Sequence, residues 1–267
     1  MNRFRQTTCF TAILLFGFFG ALEARADARA NALENARQHI KQPEPLLSSV
    51  FVVVIGYEGN LELFKKGTIP PPQNGTGLAI PVDADGYFLT AAHSVQPAHD
   101  MYVMGNFEGR LEARKAEIIF RGDPGTALQD IALLRVAAKL PVCFEFTNAL
   151  PKSGDTIYAV VRSQDKPAFI EGKCLTPSAS YDARSTVAIM TDLPVVGGDS
   201  GGPLLTKELK LIGVTSRGAT NGWGTFTYSS CPSGEFVERL IKEAKEKSNN
   251  LSSVPKSGSA SVPGSTP

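Results

Sequence analysis

Residues 197–203 read Gly197-Gly198-Asp199-Ser200-Gly201-Gly202-Pro203. Glycines on both sides of a serine permit a sharp backbone that exposes the serine Oγ and aims nearby N–H groups at one point. Upstream, Leu89-Thr90-Ala91-Ala92-His93 ends a β-type run in a histidine, and Asp130-Ile131-Ala132-Leu133-Leu134 opens another with an aspartate. The chain order is His, Asp, Ser, with separations of 37 and 70 residues. A serine hydroxyl is a poor nucleophile until a base takes its proton, and a carboxylate must hold that base in one tautomer. Each residue alone has an ordinary reading as a loop, a turn or a structural histidine. Together, His93, Asp130 and Ser200 form a set suited to acyl transfer.

Around these motifs lie short β-type runs bounded by Gly, Pro, Asp or Asn. Six precede a break near Pro141–Pro151: Val50–Ile55, Gly77–Val82, Tyr87–Thr90, Met101–Met104, Ala116–Phe120 and Ile131–Val136. Six follow it: Thr156–Val161, Ala168–Cys174, Thr186–Thr191, Pro203–Leu205, Lys210–Thr215 and Thr225–Tyr228. Two equal groups of short strands predict an all-β fold of two six-stranded antiparallel barrels, which leave no exposed sheet edge. A C-terminal helix is expected from Ser233, its N-cap, with Phe236, Val237, Leu240, Ile241 and Ala244 on one face.

The ends separate from this core. Arg3 and Arg5, an apolar stretch from Cys9 to Leu22, and Ala24-Arg25-Ala26 make residues 1–26 a signal peptide cleaved before Asp27. Residues 27–44 read as a helix, with Leu33, Ala36 and Ile40 on one face, and a linker; 45–247 form the main domain. Residues 248–267 hold 7 Ser and 3 Pro with no aromatic residue, the composition of a disordered tail. The formal charge is +1, and loss of three Arg and one Glu with residues 1–26 makes it −1, which argues against nucleic acid as a partner. Stable membrane insertion after signal cleavage is not expected, because no apolar run reaches about 18 residues. Three cysteines remain, Cys143, Cys174 and Cys231. At most one bridge can form among them, and any of the three pairings is open. No metal or other cofactor is expected, since the histidines and cysteines lack zinc-ligand spacing.

The sequence resembles the chymotrypsin-like (trypsin-fold) serine proteases, and among them the bacterial HtrA/Deg-type and related trypsin-like peptidases. The likeness rests on Ser48-Ser49-Val50, Gly75-Thr76-Gly77, Asp85 to Thr90 with His93, Asp130 to Leu134, Thr191-Asp192 and the Ser200 motif. It departs from HtrA in Asp199, where that branch usually has Asn, and no PDZ-like segment follows the strand ending at Tyr228. The resemblance implies an exported, secreted or periplasmic endopeptidase acting on polypeptide substrates, with Ser200 as nucleophile, His93 as base and Asp130 orienting it. It implies an oxyanion hole from the N–H groups of Gly198 and Ser200, and pairing of the substrate backbone with Ser216, Arg217 and Gly218. It places Pro194, which is uncharged, at the floor of the specificity pocket, with Val195 and Val196 narrowing it and Gly218 and Gly224 opening its walls. Cleavage after small or medium aliphatic residues follows. Digestive relatives pair the aspartate before the serine with a freed N-terminus. No such activation site precedes Val50, so Asp199 needs another cation, for which Arg162 is the candidate. A catalytically silent binding protein on the same scaffold and a quality-control protease acting on unfolded chains are the competing readings.

Overall fold

The structure, a computed structural model, describes the backbone of residues 7–41, 44–126, 129–163, 166–176, 187–221 and 224–252. Twelve strands form two closed antiparallel barrels. The first joins β1 (Phe51–Ile55), β2 (Thr76–Asp83), β3 (Tyr87–Thr90), β4 (Met101–Phe107), β5 (Arg110–Arg121) and β6 (Ala132–Val136) in the order β1-β2-β3-β6-β5-β4. The second joins β7 (Thr156–Ser163), β8 (Lys166–Thr176), β9 (Val187–Thr191), β10 (Pro203–Leu205), β11 (Leu211–Asn221) and β12 (Gly224–Cys231) as β10-β11-β12-β9-β8-β7. Each of the twelve expected runs coincides with a strand; Thr186, at the start of one of them, lies outside the described residues.

Several of these runs are apolar without alternation, and the barrels explain why. Side chains of a strand alternate between two faces. In β1, Phe51, Val53 and Ile55 fill the first barrel, while Val52 and Val54 face the cluster shared by both barrels. In β7, Ile157, Ala159 and Val161 fill the second barrel, while Tyr158 and Val160 join that shared cluster. Both faces are dry, so both are apolar. Phe51 seals the first barrel, edge-on to Phe88 at 5.0 Å between centroids and tilted against Phe107 at 4.8 Å.

Helices tie the barrels together. Helix α1 runs without interruption from Thr7 to His39, so it begins well before the helix expected from residue 27 and passes through the expected cleavage point. Arg3 and Arg5 of the expected signal peptide lie outside the described residues. Ala32 of α1 packs into the second barrel and Ala36 into the shared cluster. Helix α2 (Glu44–Leu47) and α3 (Glu58–Lys65) fill loops that carry no strong apolar period. Helix α4 (Gly234–Ser252) starts as expected, with the Phe236 N–H donating to Ser233 Oγ, and places Val237 and Ile241 on the shared cluster. It continues to Ser252, so residues 248–252 of the expected tail are helical, and 253–267 lie outside the described residues. Cys143, Cys174 and Cys231 are all free thiols, the last two buried in the second barrel. Burial raises the Cys231 thiol far above its usual range. Among the described residues no helix is long and apolar enough to cross a membrane.

The far end of α4 is clamped to the first barrel by charge. Lys245 Nζ lies 3.0 Å from Asp83 and 2.7 Å from Asp85, which also pairs with Lys139. The hydrogen bonds from Lys139 and Lys245 hold the Asp85 carboxyl at about 2, below its ordinary 3.8. A carboxyl depressed on folding contributes stability above its unfolded value and loses it as pH falls through the folded one, here between 3.8 and about 2. Lys245→Met should therefore raise the Asp85 midpoint in a carboxyl NMR titration; an unchanged midpoint would show that α4 is not anchored there.

Candidate active site

His93, Asp130 and Ser200 meet where the two barrels face each other. His93 sits in a 3-10 turn, Ala92–Ser94, directly after β3. Arg121 at the end of β5 secures that turn, its Nε donating to the carbonyls of Ala92 at 3.1 Å and Val95 at 2.9 Å. Asp130 lies just before β6 and is completely buried. One of its oxygens accepts the His93 backbone N–H at 2.8 Å, and the other accepts from His93 Nδ1 at 2.7 Å and from the Ser216 hydroxyl. With Nδ1 as the donor, Nε2 of the neutral ring is left as the acceptor. Burial pushes the Asp130 carboxyl up, but the hydrogen bonds from His93 and Ser216 and the attraction of the ring outweigh it and hold the carboxyl below its ordinary value.

Ser200 stands on a turn pinned to both barrels. Its carbonyl accepts from the Leu78 N–H in β2 at 2.7 Å, while the Gly201 N–H donates to Thr215 and the Thr215 N–H to Gly202. Gly201 has φ +85°, and a Cβ there would lie 2.1 Å from the Leu78 carbonyl oxygen. Gly198 has φ +93°. Among the described residues, neither the Gly198 nor the Ser200 N–H is bonded within the protein. The Ser200 hydroxyl donates to the Ser216 carbonyl at 3.3 Å rather than to His93.

The cation beside Asp199 is Arg29 of α1, in place of the expected Arg162 side chain. Arg29 Nη1 lies 2.7 Å from Asp199 Oδ2 and Nη2 lies 3.2 Å from Oδ1. Arg162 contributes its backbone N–H, which donates to Oδ1 at 2.8 Å, while its guanidinium turns to Thr76 Oγ1 and the Pro70 carbonyl. Asp199, 1% exposed, also accepts the Val196 N–H at 2.8 Å. Arg29 completes its own set on the carbonyls of Pro194 at 2.9 Å and Arg162 at 2.7 Å. Local sequence holds no sign of this pair, whose members are 170 residues apart.

A cavity of about 500 Å³ opens beside Ser200, lined by His93, Val195, Val196, Gly197, Thr215, Ser216, Arg217 and Gly218, and by Arg25 of α1. Among the described lining residues, Pro194 does not appear. Pro194 is buried with its carbonyl held by Arg29, and Gly224 pairs with Asn221 at the end of the β11–β12 hairpin. Val195 is buried and Val196 is 38% exposed. Arg217 reaches across to the Pro124 carbonyl. Arg25, assigned by sequence to the signal peptide, donates to the Val195 carbonyl. Arg25, Arg29, Ala32 and Ala36 recur at helical spacing on one stripe of α1, a period that sequence analysis missed by cutting the helix at Ala26.

Residues 75–214 match the model of the trypsin-like peptidase domain, and the chain belongs to that family. The particular relatives it resembles are bacterial. It is 29% identical over 162 residues to a probable periplasmic serine endoprotease DegP-like of Hahella chejuensis, and 27% identical over 178 residues to one of Ectopseudomonas mendocina. These matches cover 58% and 64% of the chain but only 32% and 35% of the relatives, so the chain spans about a third of their length. In fold it is similar to the MamO protease domain of Magnetospirillum magneticum, with TM-score 0.56, 20% identity, and coverage of 74% of this chain and 98% of that one. A serine endoprotease from Yersinia pestis gives 0.55 and 19%, covering 79% and 67%.

The Ser200 turn yields a stability prediction. Gly201→Ala combines a left-handed φ with a backbone clash, so it should cost about 3 kcal/mol or more. Chemical denaturation measures this; a loss under about 0.5 kcal/mol would mean that the turn differs from the one described.

Proposed function

We propose that the protein is an exported serine endopeptidase that cuts through an acyl-enzyme formed on Ser200. The observation that carries this reading is the His93–Asp130 pair, whose carboxylate is buried and whose imidazole lines one cavity with Ser200. In the proposed reaction, the substrate backbone lies along Ser216–Gly218 as an added strand. The Ser200 hydroxyl turns from the Ser216 carbonyl to His93 Nε2, and Oγ attacks the scissile carbonyl carbon as its proton passes to that nitrogen. Asp130 stabilises the resulting imidazolium. The oxygen, now negative, takes hydrogen bonds from the N–H groups of Gly198 and Ser200. The C–N bond breaks as His93 returns the proton to the leaving amine, and water then repeats the sequence on the ester.

Periplasmic relatives favour export, and cleavage after Ala26 would take Arg25 out of the cavity while keeping Arg29 on the helix. The cleared cavity is bordered by Val195 and Val196 and, among the described residues, has no acidic side chain in its lining. A Lys or Arg side chain would enter it without a counter-ion, at a cost of several kcal/mol. Val and Ala are therefore the preferred residues before the cut, followed by Leu.

Ser200→Ala and His93→Ala should each lower kcat by several orders of magnitude while near-UV circular dichroism keeps its native form. Full activity in either folded variant would contradict the assignment. For the chain beginning at Asp27, kcat/KM on matched peptides should be at least tenfold higher for Val than for Arg, a difference of about 1.4 kcal/mol. A tenfold preference for Arg would remove the pocket reading. A tenfold preference for Glu would also remove it, and would assign the pocket's selectivity to a cation such as Arg217.

A further inference from the structure

We propose that Arg29 is a positioning residue for catalysis: through Asp199 it sets the loop whose Gly198 and Ser200 N–H groups receive the negative oxygen. The inference rests on the endopeptidase reading above. Asp199 lies between those two residues, so the direction of its side chain and the orientation of the adjoining peptides are coupled.

Leu193 and Val195 anchor the start of this loop in the core of the second barrel, but from Val196 to Gly198 no side chain is packed into that core. Residues 192–196 carry no regular structure. Gly197 and Gly198 follow, and a Cβ on Gly197 would meet nothing within 4 Å. Two successive glycines leave the chain unusually free. Against that freedom stand the bonds converging on one carboxylate and one guanidinium. Arg29 grips both Asp199 oxygens, holds the Pro194 carbonyl at the start of the loop, and holds the Arg162 carbonyl in β7. The Arg162 and Val196 N–H groups complete the carboxylate's shell. Thus one side chain from α1 fixes both ends of the loop against the wall of the second barrel.

Removing that cation leaves Asp199 as a buried charge with only two N–H donors. A carboxylate in that state gains more by turning out to water than by staying. Turning out rotates the peptides on either side, and the two N–H groups no longer converge. The effect then falls on the transition state, where the oxygen is charged, rather than on ground-state binding in the cavity.

The test uses the chain beginning at Asp27, which keeps Arg29 and removes Arg25 from the cavity, as four proteins: wild type, Arg29→Ala, Arg29→Lys, and Arg29→Ala combined with Asp199→Asn. Arg29→Ala should lower kcat about a hundredfold, the scale of losing an oxyanion donor, with KM changed less than about threefold. Arg29→Lys should recover part of kcat. The double variant should recover more than Arg29→Ala alone, because a neutral amide in place of the carboxylate needs no cation. Amide hydrogen exchange over residues 195–201, measured on the same samples, should speed up in Arg29→Ala and be slowed again by either second change. Unchanged exchange over those residues in Arg29→Ala would overturn the proposal. So would a wild-type kcat in that variant, or an activity loss that follows global unfolding and is not relieved in the double variant. A folded wild type that cleaves no peptide would remove the endopeptidase reading instead, and the exchange result would still decide whether Arg29 sets the loop.

Discussion

The contact between Arg29 and Asp199 is the constraint on which the site depends. Burying two charges is expensive, and their attraction offsets that cost only when the geometry is good and the remaining donors and acceptors are filled. Here they are filled. The carboxylate takes the guanidinium fork and two backbone N–H groups, and the guanidinium takes two carbonyls as well. The planar fork of arginine suits this arrangement in a way that a lysine ammonium does not. A helix that looks peripheral in sequence is therefore part of the apparatus around Ser200.

The rest of the site follows from how two closed barrels share a face. Strands with two dry faces put one set of side chains inside a barrel and the other into the seam, as Phe51/Val52 in β1 and Ile157/Tyr158 in β7 do. His93 and Asp130 leave the first barrel at this seam, while Ser200 and Ser216 come from the second. Hydrogen bonds cross it from Leu78 to Ser200 and from Ser216 to Asp130. Neither barrel alone holds the set, so docking the barrels is what assembles it.

The strands, and the three residues that meet at the seam, were legible in the sequence because their signals are local. A β-type run between turn residues, or a serine among glycines, is complete within a short stretch of chain. Long-range polar pairing leaves no such trace. Asp199 showed that it needed a cation, but the distance along the chain hid which one, and the nearer Arg162 supplies its backbone instead. Arg25 and Arg29 do share a helical stripe with Ala32 and Ala36, yet reading residues 1–26 as a signal peptide split that stripe. The last turn of α4 was lost for a different reason: Ser- and Asn-rich composition reads as coil, while Lys245 on Asp83 and Asp85 anchors the helix just before it.

The central claim is that Ser200 is a nucleophile activated by His93. Its most direct test is reaction of the folded protein with a fluorophosphonate, followed by peptide mass spectrometry. The account predicts one adduct, on the Ser200 hydroxyl, and none when His93 is replaced by alanine. A folded protein that takes no label, or takes it on another residue while Ser200 stays unmodified, would contradict it.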